Sequence, residues 1–380
     1  MNVGIVGGGP AGLFFAWLMK RHDPAHRIRI VERDPPDATY GFGVVFTDVA
    51  LSFVRDVAPE IHDDLTRGQV RHDAMRIVHR GQEVMLPNNP FVRMARIDLL
   101  RLLRDRCAQR GIAIEYGRRV DALDEFGDCD LVVAADGAGS AIRTRHADAF
   151  GPTLDVRPNW LAWFGTTRAF DPLSLIFRQV PAGLMIAHAY RYGPTHSTFL
   201  VECDPATHRA AGFDRMSAAQ TLAACEDAFR EDLAGKPLLS NRSDWFRYAI
   251  VSNRHWHWRN VVLLGDALRT GHPSVGSGTR LAMQDAIALH DAFVTSPGDV
   301  PAALAEFERR RRPGSDALQA AAVRSTEWYE SVRSKLDLDP VSFAYDYLRR
   351  TGRVSHEDVR SRDPALAAAY EALHPEGPPP

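Results

Sequence analysis

Cysteine is scarce in this sequence, with four among 380 residues: Cys107, Cys129, Cys203 and Cys225. No two of them have the C-x-x-C spacing of a dithiol redox centre or a zinc site, so buried free thiols are favoured and a disulfide reductase is excluded. The run His255–Trp258 resembles a metal cluster in composition, but its adjacent residues project in different directions. We therefore expect no bound metal.

Strong net charge and long apolar runs are also missing. A formal charge of −2 gives no general attraction to nucleic acid or to an anionic membrane. The apolar run 13–19 is far shorter than the ~20 residues that cross a bilayer, and a strand pattern that begins at Val3 leaves no signal peptide. With 45% hydrophobic and 25% charged residues, the composition is that of a globular protein. We expect a cytoplasmic location and neither a nucleic-acid nor a membrane partner.

What the sequence does contain is a glycine motif between an apolar strand and a helix. Gly7, Gly9 and Gly12 form G-x-G-x-x-G. Gly7 permits the tight turn, Gly9 lets the backbone approach a pyrophosphate, and Gly12 lets helix and strand pack closely. Glu32 ends the next strand, where an acidic residue accepts hydrogen bonds from a ribose. The predicted dinucleotide-binding residues here are Gly7, Gly9, Pro10, Ala11, Gly12, Glu32 and Arg33. The alternative is an ordinary glycine turn in an α/β domain.

Two further motifs end apolar strands, Asp136-Gly137 and Gly265-Asp266. A carboxylate at the end of a parallel strand lies where ligands bind in open α/β sheets. Asp266 can accept hydrogen bonds from the ribityl hydroxyls of a flavin, and Pro273 can lie against one face of the flavin ring. The backbone N–H groups of the following helix start would stabilise the anionic reduced flavin. That helix start consists of Gly276, Ser277 and Gly278.

Over about its first 300 residues, the chain resembles the single-component FAD-dependent aromatic hydroxylases, the para-hydroxybenzoate hydroxylase-like group, because the three motifs occur in the same order. The segment Tyr40–Phe46 and the tail 349–364 most resemble the salicylyl-CoA 5-hydroxylase and 2-aminobenzoyl-CoA monooxygenase branch. The violacein-pathway hydroxylase, which acts on a tryptophan-derived intermediate, is similar as well. Leu268-Arg269 depart from the Ala-His that many members have after Gly-Asp-Ala.

The resemblance implies hydroxylation of an electron-rich aromatic ring, with bound FAD, NADH or NADPH as transient reductant, and O2 through a C4a-hydroperoxyflavin. It implies that Glu32 holds the adenosine ribose and that Arg96 contacts the FAD phosphates or ribityl chain. Asp136-Gly137 would lie near the pyrophosphate, Asp266 would hold the ribityl chain, and Val44 belongs to a loop over the flavin ring. The substrate is a small aromatic molecule, free or as a CoA thioester.

The fold implied is α/β, with a discontinuous Rossmann-like FAD-binding domain of the GR2 type, an inserted antiparallel-sheet substrate domain and C-terminal helices. The FAD-binding domain would comprise residues 1–74, 96–155 and 259–299. The substrate domain would comprise an excursion at 75–95, with a hairpin that turns at Arg80-Gly81, and the main sheet at 156–258, which includes a helix over 218–233. The helical region would cover 300–380, with one helix ending at Pro313.

We expect the substrate between the inserted sheet and the flavin. Candidate wall residues are Phe46, Trp163, Phe177, His188 and Tyr190. His188 and Tyr190 share one strand face, and with Pro273 they are the candidate catalytic residues. His188 can accept a phenol proton or orient a carbonyl, and the alternative is a structural histidine. The basic run Arg309–Arg312 suits a CoA phosphate or a solvated helix face.

Other functions fit the sequence less well. A flavin-dependent halogenase would carry Trp-x-Trp-x-Ile-Pro, which is absent. A plain NAD-dependent dehydrogenase needs only the first motif and leaves the other two unexplained. A hydroxylase of a free aromatic acid or of a tryptophan-derived intermediate remains an alternative, as does a non-catalytic binding protein on the same fold.

Overall fold

The computed structural model describes residues 1–377 except 40, 68–72, 90 and 277. The strands are β1 Asn2–Val6, β2 Arg27–Val31, β3 Gly43–Thr47, β4 Met75–His79, β5 Gln82–Leu86, β6 Phe91–Ala95, β7 Ala113–Glu115, β8 Leu131–Ala134, β9 Pro152–Thr166, β10 Leu173–Val180, β11 Gly183–Arg191, β12 Ser197–Cys203, β13 Leu238–Ser240, β14 Phe246–Asn253, β15 His257–Trp258 and β16 Val261–Leu263. The helices are α1 Pro10–His22, α2 Asp48–Val57, α3 Pro59–Thr66, α4 Arg96–Ala108, α5 Ala141–Arg145, α6 Ala147–Phe150, α7 Pro205–Ala211, α8 Ala218–Ala228, α9 Arg230–Leu233, α10 Gly278–Thr295, α11 Val300–Ser331, α12 Pro340–Arg349, α13 His356–Arg362 and α14 Pro364–Leu373.

A six-stranded sheet gathers strands from three distant parts of the chain, in the order β15-β16-β8-β1-β2-β7. β1 pairs in parallel with β2 and β8, and β16 pairs in parallel with β8. β8 and β16 are fully buried, as expected for central strands of a sheet covered on both faces. The carboxyl ends of β1, β8 and β16 therefore bring the three sequence motifs to one edge of the sheet.

A second, eight-stranded sheet has the order β13-β9-β12-β11-β10-β4-β5, with β14 also paired to β9. The neighbours β9, β12, β11 and β10 are antiparallel. The predicted hairpin with its turn at Arg80-Gly81 forms β4 and β5, which join this sheet beside β10. The predicted α/β architecture with an inserted antiparallel sheet is thus confirmed.

The C-terminal helices cover part of the antiparallel sheet. Side chains of α11, α12 and α14 pack against β4, β10 and β11 in one apolar cluster that includes Phe177, Trp328 and Phe343. Among the described residues, every helix is too short or too polar to cross a bilayer.

Two helix predictions were wrong. The helix predicted to stop at Pro313 runs through it as α11. Pro313 removes one backbone donor, but α11 packs along α10 on both sides of the proline, and this burial outweighs the lost bond. The helix predicted over residues 218–233 is interrupted at Phe229, so that α8 and α9 are separate.

Candidate active site

The first glycine motif forms a cradle at the end of β1. Gly7 has φ +109°, and a Cβ there would lie 2.2 Å from the Ala135 carbonyl oxygen. A Cβ on Gly12 would lie 2.3 Å from the Gly7 oxygen, so both positions require glycine. A Cβ on Gly9 would meet nothing within 4 Å. The backbone at Gly9 thus faces open space, as a pyrophosphate-binding turn must.

Glu32 is held in place by backbone donors around this cradle. Its Oε2 accepts a hydrogen bond from the Gly8 N–H at 2.6 Å, and its Oε1 accepts one from the Asp34 N–H at 2.9 Å. The carboxylate is therefore oriented before any ribose arrives. The same cleft is lined by further predicted cofactor residues, among them Arg33, Arg96, Asp136 and Gly137.

Asp136 caps the start of α5 and keeps one oxygen free. Its Oδ2 accepts from the Ala141 N–H at 2.8 Å, while its buried Oδ1 has no hydrogen-bond partner among the described residues. Gly137, at φ +84°, leaves open space beside it. An unsatisfied acceptor at the cleft fits a ligand that brings hydroxyl or water donors.

The third motif packs directly on the first. Gly265, at φ +61°, sits so close to α1 that a Cβ would lie 2.9 Å from the Ala11 Cβ. Asp266 is accessible to solvent, yet the surrounding protein desolvates its carboxyl group and raises its pKa, while Arg96 and Arg269 partly offset that rise. Arg96 lines the cleft beside the glycine turn, and its positive charge also interacts with the Asp266 carboxyl group.

The turn at Pro273 and the strand β3 meet beyond Asp266. Pro273 begins a 3-10 turn, Pro273–Val275, and Gly276 follows it at φ +57°. A Cβ on Gly276 would lie 3.8 Å from the Val45 carbonyl oxygen. Gly278 is the first residue of α10, whereas Ser277 lies outside the described residues. Val44 is buried in the core below β3, so only its backbone is available to a cofactor.

A buried ionic cluster faces this turn from the antiparallel sheet. The His188 Nε2 lies 3.0 Å from Glu202 Oε2, and Asn159 donates to Glu202 Oε1 at 2.8 Å. The His272 Nε2 lies 4.0 Å from the same Oε1. Burial alone would raise the pKa of Glu202, but the hydrogen bond from His188 and the other neighbours hold it below the usual value. Glu202 is therefore a fully buried carboxylate ion.

The Nδ1 of His188 is the group of this cluster that remains available. It has no hydrogen-bond partner among the described residues and is not sealed from solvent. His272 is different, since burial lowers its pKa to about 4 and its Nδ1 lies 2.9 Å from Ser274 Oγ. Tyr329 stacks near both rings, at 5.0 and 6.0 Å, and its buried hydroxyl has no partner in the described part of the chain.

Tyr190 and Trp163 attach the loop before β3 to the sheet. The Tyr190 hydroxyl donates to the Gly43 carbonyl at 2.8 Å, and burial raises its pKa to about 12. A neutral, engaged phenol is suited to anchoring rather than to proton transfer. The Trp163 ring lies under Gly41, where a Cβ would come within 3.0 Å of it.

Two predicted wall residues lie elsewhere. Phe46 is buried in the core of the parallel-sheet domain, because its strand β3 directs it inward together with Val44. Phe177 shares the sheet face of His188 but packs edge-on against Phe343, with ring centroids 4.7 Å apart. The C-terminal helices cover this end of the sheet, so we leave both phenylalanines out of the proposed substrate site.

Sequence reasoning missed Glu202 and His272. Glu202 is the only charged residue of β12, which is buried throughout. A lone carboxylate in an otherwise uncharged strand is the signal that could have identified it, since such a group needs a partner. His272 gave no comparable signal, because its approach to Glu202 depends on how the two domains pack.

Known proteins match this arrangement. The profile of the FAD binding domain family matches residues 127–321. The chain is 38% identical to salicyloyl-CoA 5-hydroxylase of a Streptomyces species, covering 92% of this chain and 70% of that protein.

The chain belongs to the FAD-dependent aromatic monooxygenases.

Two other relatives place this monooxygenase among aromatic-ring hydroxylases. It is 38% identical to 3-hydroxy-4-methyl-anthranilyl-[aryl-carrier protein] 5-monooxygenase of Streptosporangium sibiricum, over 94% of this chain and 97% of that one. It is 34% identical to protodeoxyviolaceinate monooxygenase of Chromobacterium violaceum, over 91% and 94%. In fold it matches 2-methyl-3-hydroxypyridine-5-carboxylic acid oxygenase with a TM-score of 0.71 and 18% identity, over 95% and 96%.

This FAD-dependent monooxygenase uses FAD with NAD(P)H and O2 as co-substrates. The open cradle at Gly9, the oriented Glu32 and the free Asp136 Oδ1 all fit the adenosine and pyrophosphate end of FAD. The non-catalytic alternative is not supported.

Proposed function

We propose that the enzyme hydroxylates an aromatic ring that carries a hydroxyl or amino group next to an acyl thioester. The relatives named for salicyloyl-CoA and for a carrier-bound anthranilyl group support this substrate class. The observation that carries the proposal is the His188–Glu202 pair, a buried base with an open ring nitrogen. A base in this position can take the acidic proton of a ring hydroxyl that the substrate brings into the cavity.

In this proposal the cofactor residues keep their predicted roles. Glu32 binds the adenosine ribose, the turn at Gly9 and the free oxygen of Asp136 bind around the pyrophosphate, and Asp266 binds the ribityl chain. Bound by these residues and reduced by NAD(P)H, FAD would supply the redox chemistry by which one atom of O2 enters the ring and the other leaves as water.

The chain's own contribution is to orient the ring and to remove a proton from it. Glu202 accepts a hydrogen bond from the Nε2–H of His188, which leaves Nδ1 to take the proton of a substrate hydroxyl or to accept a hydrogen bond from a substrate amino group. Deprotonation increases electron density at the ring carbon that receives oxygen. The turn at Pro273 and the anchored loop before β3 exclude water from the cavity.

A substrate panel tests the reaction. Yellow, FAD-loaded enzyme is given NADH or NADPH under air with salicylyl-CoA, anthraniloyl-CoA, salicylate, anthranilate or tryptophan, and the products are identified by mass. We expect a thioester to stimulate NAD(P)H oxidation and to gain one oxygen atom. If only a free acid or a tryptophan-derived compound is hydroxylated, the thioester proposal is wrong and the violaceinate relative becomes the better guide.

The base is tested by His188→Gln. We expect kcat to fall about 100-fold, while FAD content and substrate dissociation constant stay near those of the unaltered enzyme. His196→Gln, in the turn between β11 and β12, is the matched control. Unchanged turnover in His188→Gln would remove this histidine from the mechanism.

We also propose the cytoplasm as the location, supported by four cysteines that are all free thiols.

A further inference from the structure

A second cavity lies away from the cofactor cleft, where the chain enters and leaves the antiparallel sheet. It has a volume of about 360 Å³ and is lined by Thr153 at the start of β9, Asn253 at the end of β14, and residues of α11. Arg254, Arg269 and Arg312 are among the residues that line it. None of these residues has a part in the proposed hydroxylation.

Arg269 is the deepest of the three and is incompletely paired. Its side chain is 97% buried. One terminal nitrogen contacts Asp285, but its Nε and Nη1 are sealed from solvent without a partner among the described residues. Asp285 is shared with Arg311, whose Nε lies 2.8 Å from the same oxygen. The single negative charge of Asp285 is thus shared by two guanidinium groups, so this cluster of three side chains has a net positive charge.

Arg312 and Arg269 enclose the indole of Trp256, with their Cζ atoms 4.9 and 5.1 Å from its ring centroid. This stacking holds both guanidinium planes still. The charged groups at the cavity and next to it are Arg254, Arg269, Arg311, Arg312, Asp285, Glu308 and Asp316. Positive groups outnumber negative ones, and Asp316 at the mouth is exposed, so that water screens it.

We propose that this cavity binds a phosphoryl group. Guanidinium groups such as those of Arg254 and Arg312 match a tetrahedral dianion, because each can donate to a separate oxygen. The hydroxyls of Thr153 and Ser252 line the same cavity and can donate as well. The phosphoryl group belongs to a nucleotide co-substrate, namely CoA or NADPH, or it is free inorganic phosphate.

Calorimetric titration with inorganic phosphate tests the site. The enzyme is saturated with FAD, so that the pyrophosphate cradle is filled. We expect Arg254→Gln and Arg312→Gln each to weaken phosphate binding about tenfold, and Asp316→Asn to tighten it. Arg309→Gln removes the same charge from the same helix, but Arg309 pairs with Glu306 on an exposed face, so we expect no change.

The source of the phosphoryl group is tested by two ligand pairs, measured as binding without turnover. If CoA binds more tightly than 3′-dephospho-CoA and this difference disappears in Arg312→Gln, the site binds CoA. Tighter binding of NADPH than of NADH, lost in the same variant, assigns it to the reductant. If neither pair differs while phosphate binds, the ligand is free phosphate. Equal phosphate affinity in Arg254→Gln, Arg312→Gln and the unaltered enzyme would overturn the proposal, whatever the fate of the hydroxylase assignment.

Discussion

At the scale of single residues, Glu202 is a positioning residue, because it acts through His188. In Glu202→Gln the side chain keeps its shape but loses its charge and can no longer hold one tautomer of His188. We expect kcat to fall about tenfold or more, with KM and FAD content little changed. Glu226→Gln, whose carboxylate accepts only from the Leu238 backbone, is the control. Equal loss of kcat in both variants would indicate a merely structural effect.

His272 makes the stability of the protein sensitive to mild acid. Burial lowers its pKa to about 4 from an ordinary value of 6.5. Between these values the unfolded chain binds the extra proton, so stability falls as pH decreases. We expect a loss of about 2 kcal/mol between pH 6.5 and 4.5. Chemical denaturation at several pH values should show this slope in the unaltered enzyme and a flatter one in His272→Gln.

At the scale of elements, the turn between β1 and α1 needs glycine for two different reasons: Gly9 for FAD binding and Gly12 for packing of the protein itself. Gly9→Ala meets no protein atom within 4 Å, so the apoprotein should melt at an unchanged temperature and yet bind FAD at least tenfold more weakly. Gly12→Ala brings a Cβ within 2.3 Å of the Gly7 oxygen, so it should lower both the melting temperature and the affinity for FAD. Thermal melts with and without added FAD distinguish the two. Equal behaviour of both variants would contradict this division.

The long helix α11 contains an internal proline that lowers its stability. Pro313→Ala restores one backbone donor, and we expect a gain of about 1–3 kcal/mol in the free energy of unfolding with unchanged kcat. Pro301 stands in the first turn of the same helix, where no donor is needed. Pro301→Ala should therefore give no gain, and a similar gain in both would refute the explanation.

At the scale of the whole molecule, Arg350 connects the C-terminal region to the turn at Pro273, which we propose lies beside the flavin. Its Nη2 donates to the Ser274 carbonyl at 3.1 Å, and its Nε donates to Ser325 on α11 at 3.0 Å. Arg350→Gln should loosen the turn at Pro273, admit water and raise the share of NAD(P)H oxidised to H2O2 rather than to product. The ratio of H2O2 to hydroxylated product measures this, with the exposed Arg353→Gln as control.

The cofactor cleft was more predictable than the substrate site for a physical reason. A side chain would clash with nearby atoms at Gly7, Gly12 and Gly265. This need for glycine is local, so a short sequence motif reveals it. The parallel order of the strands then brings the motifs together. The His188–Glu202 contact instead follows from the register of β11 against β12. His272 joins that pair only through the packing of one domain on the other, which no local pattern records.

The six-stranded sheet has a consequence for synthesis of the enzyme. Its core strands β1 and β8 leave the ribosome first, but β16 and the turn with Asp266 that follows it are made only after the whole inserted sheet. A nascent chain that ends before β16 therefore leaves one side of β8 unpaired and lacks the third motif. Since an unpaired strand can pair with a wrong partner, β8 must be shielded while the chain is still growing.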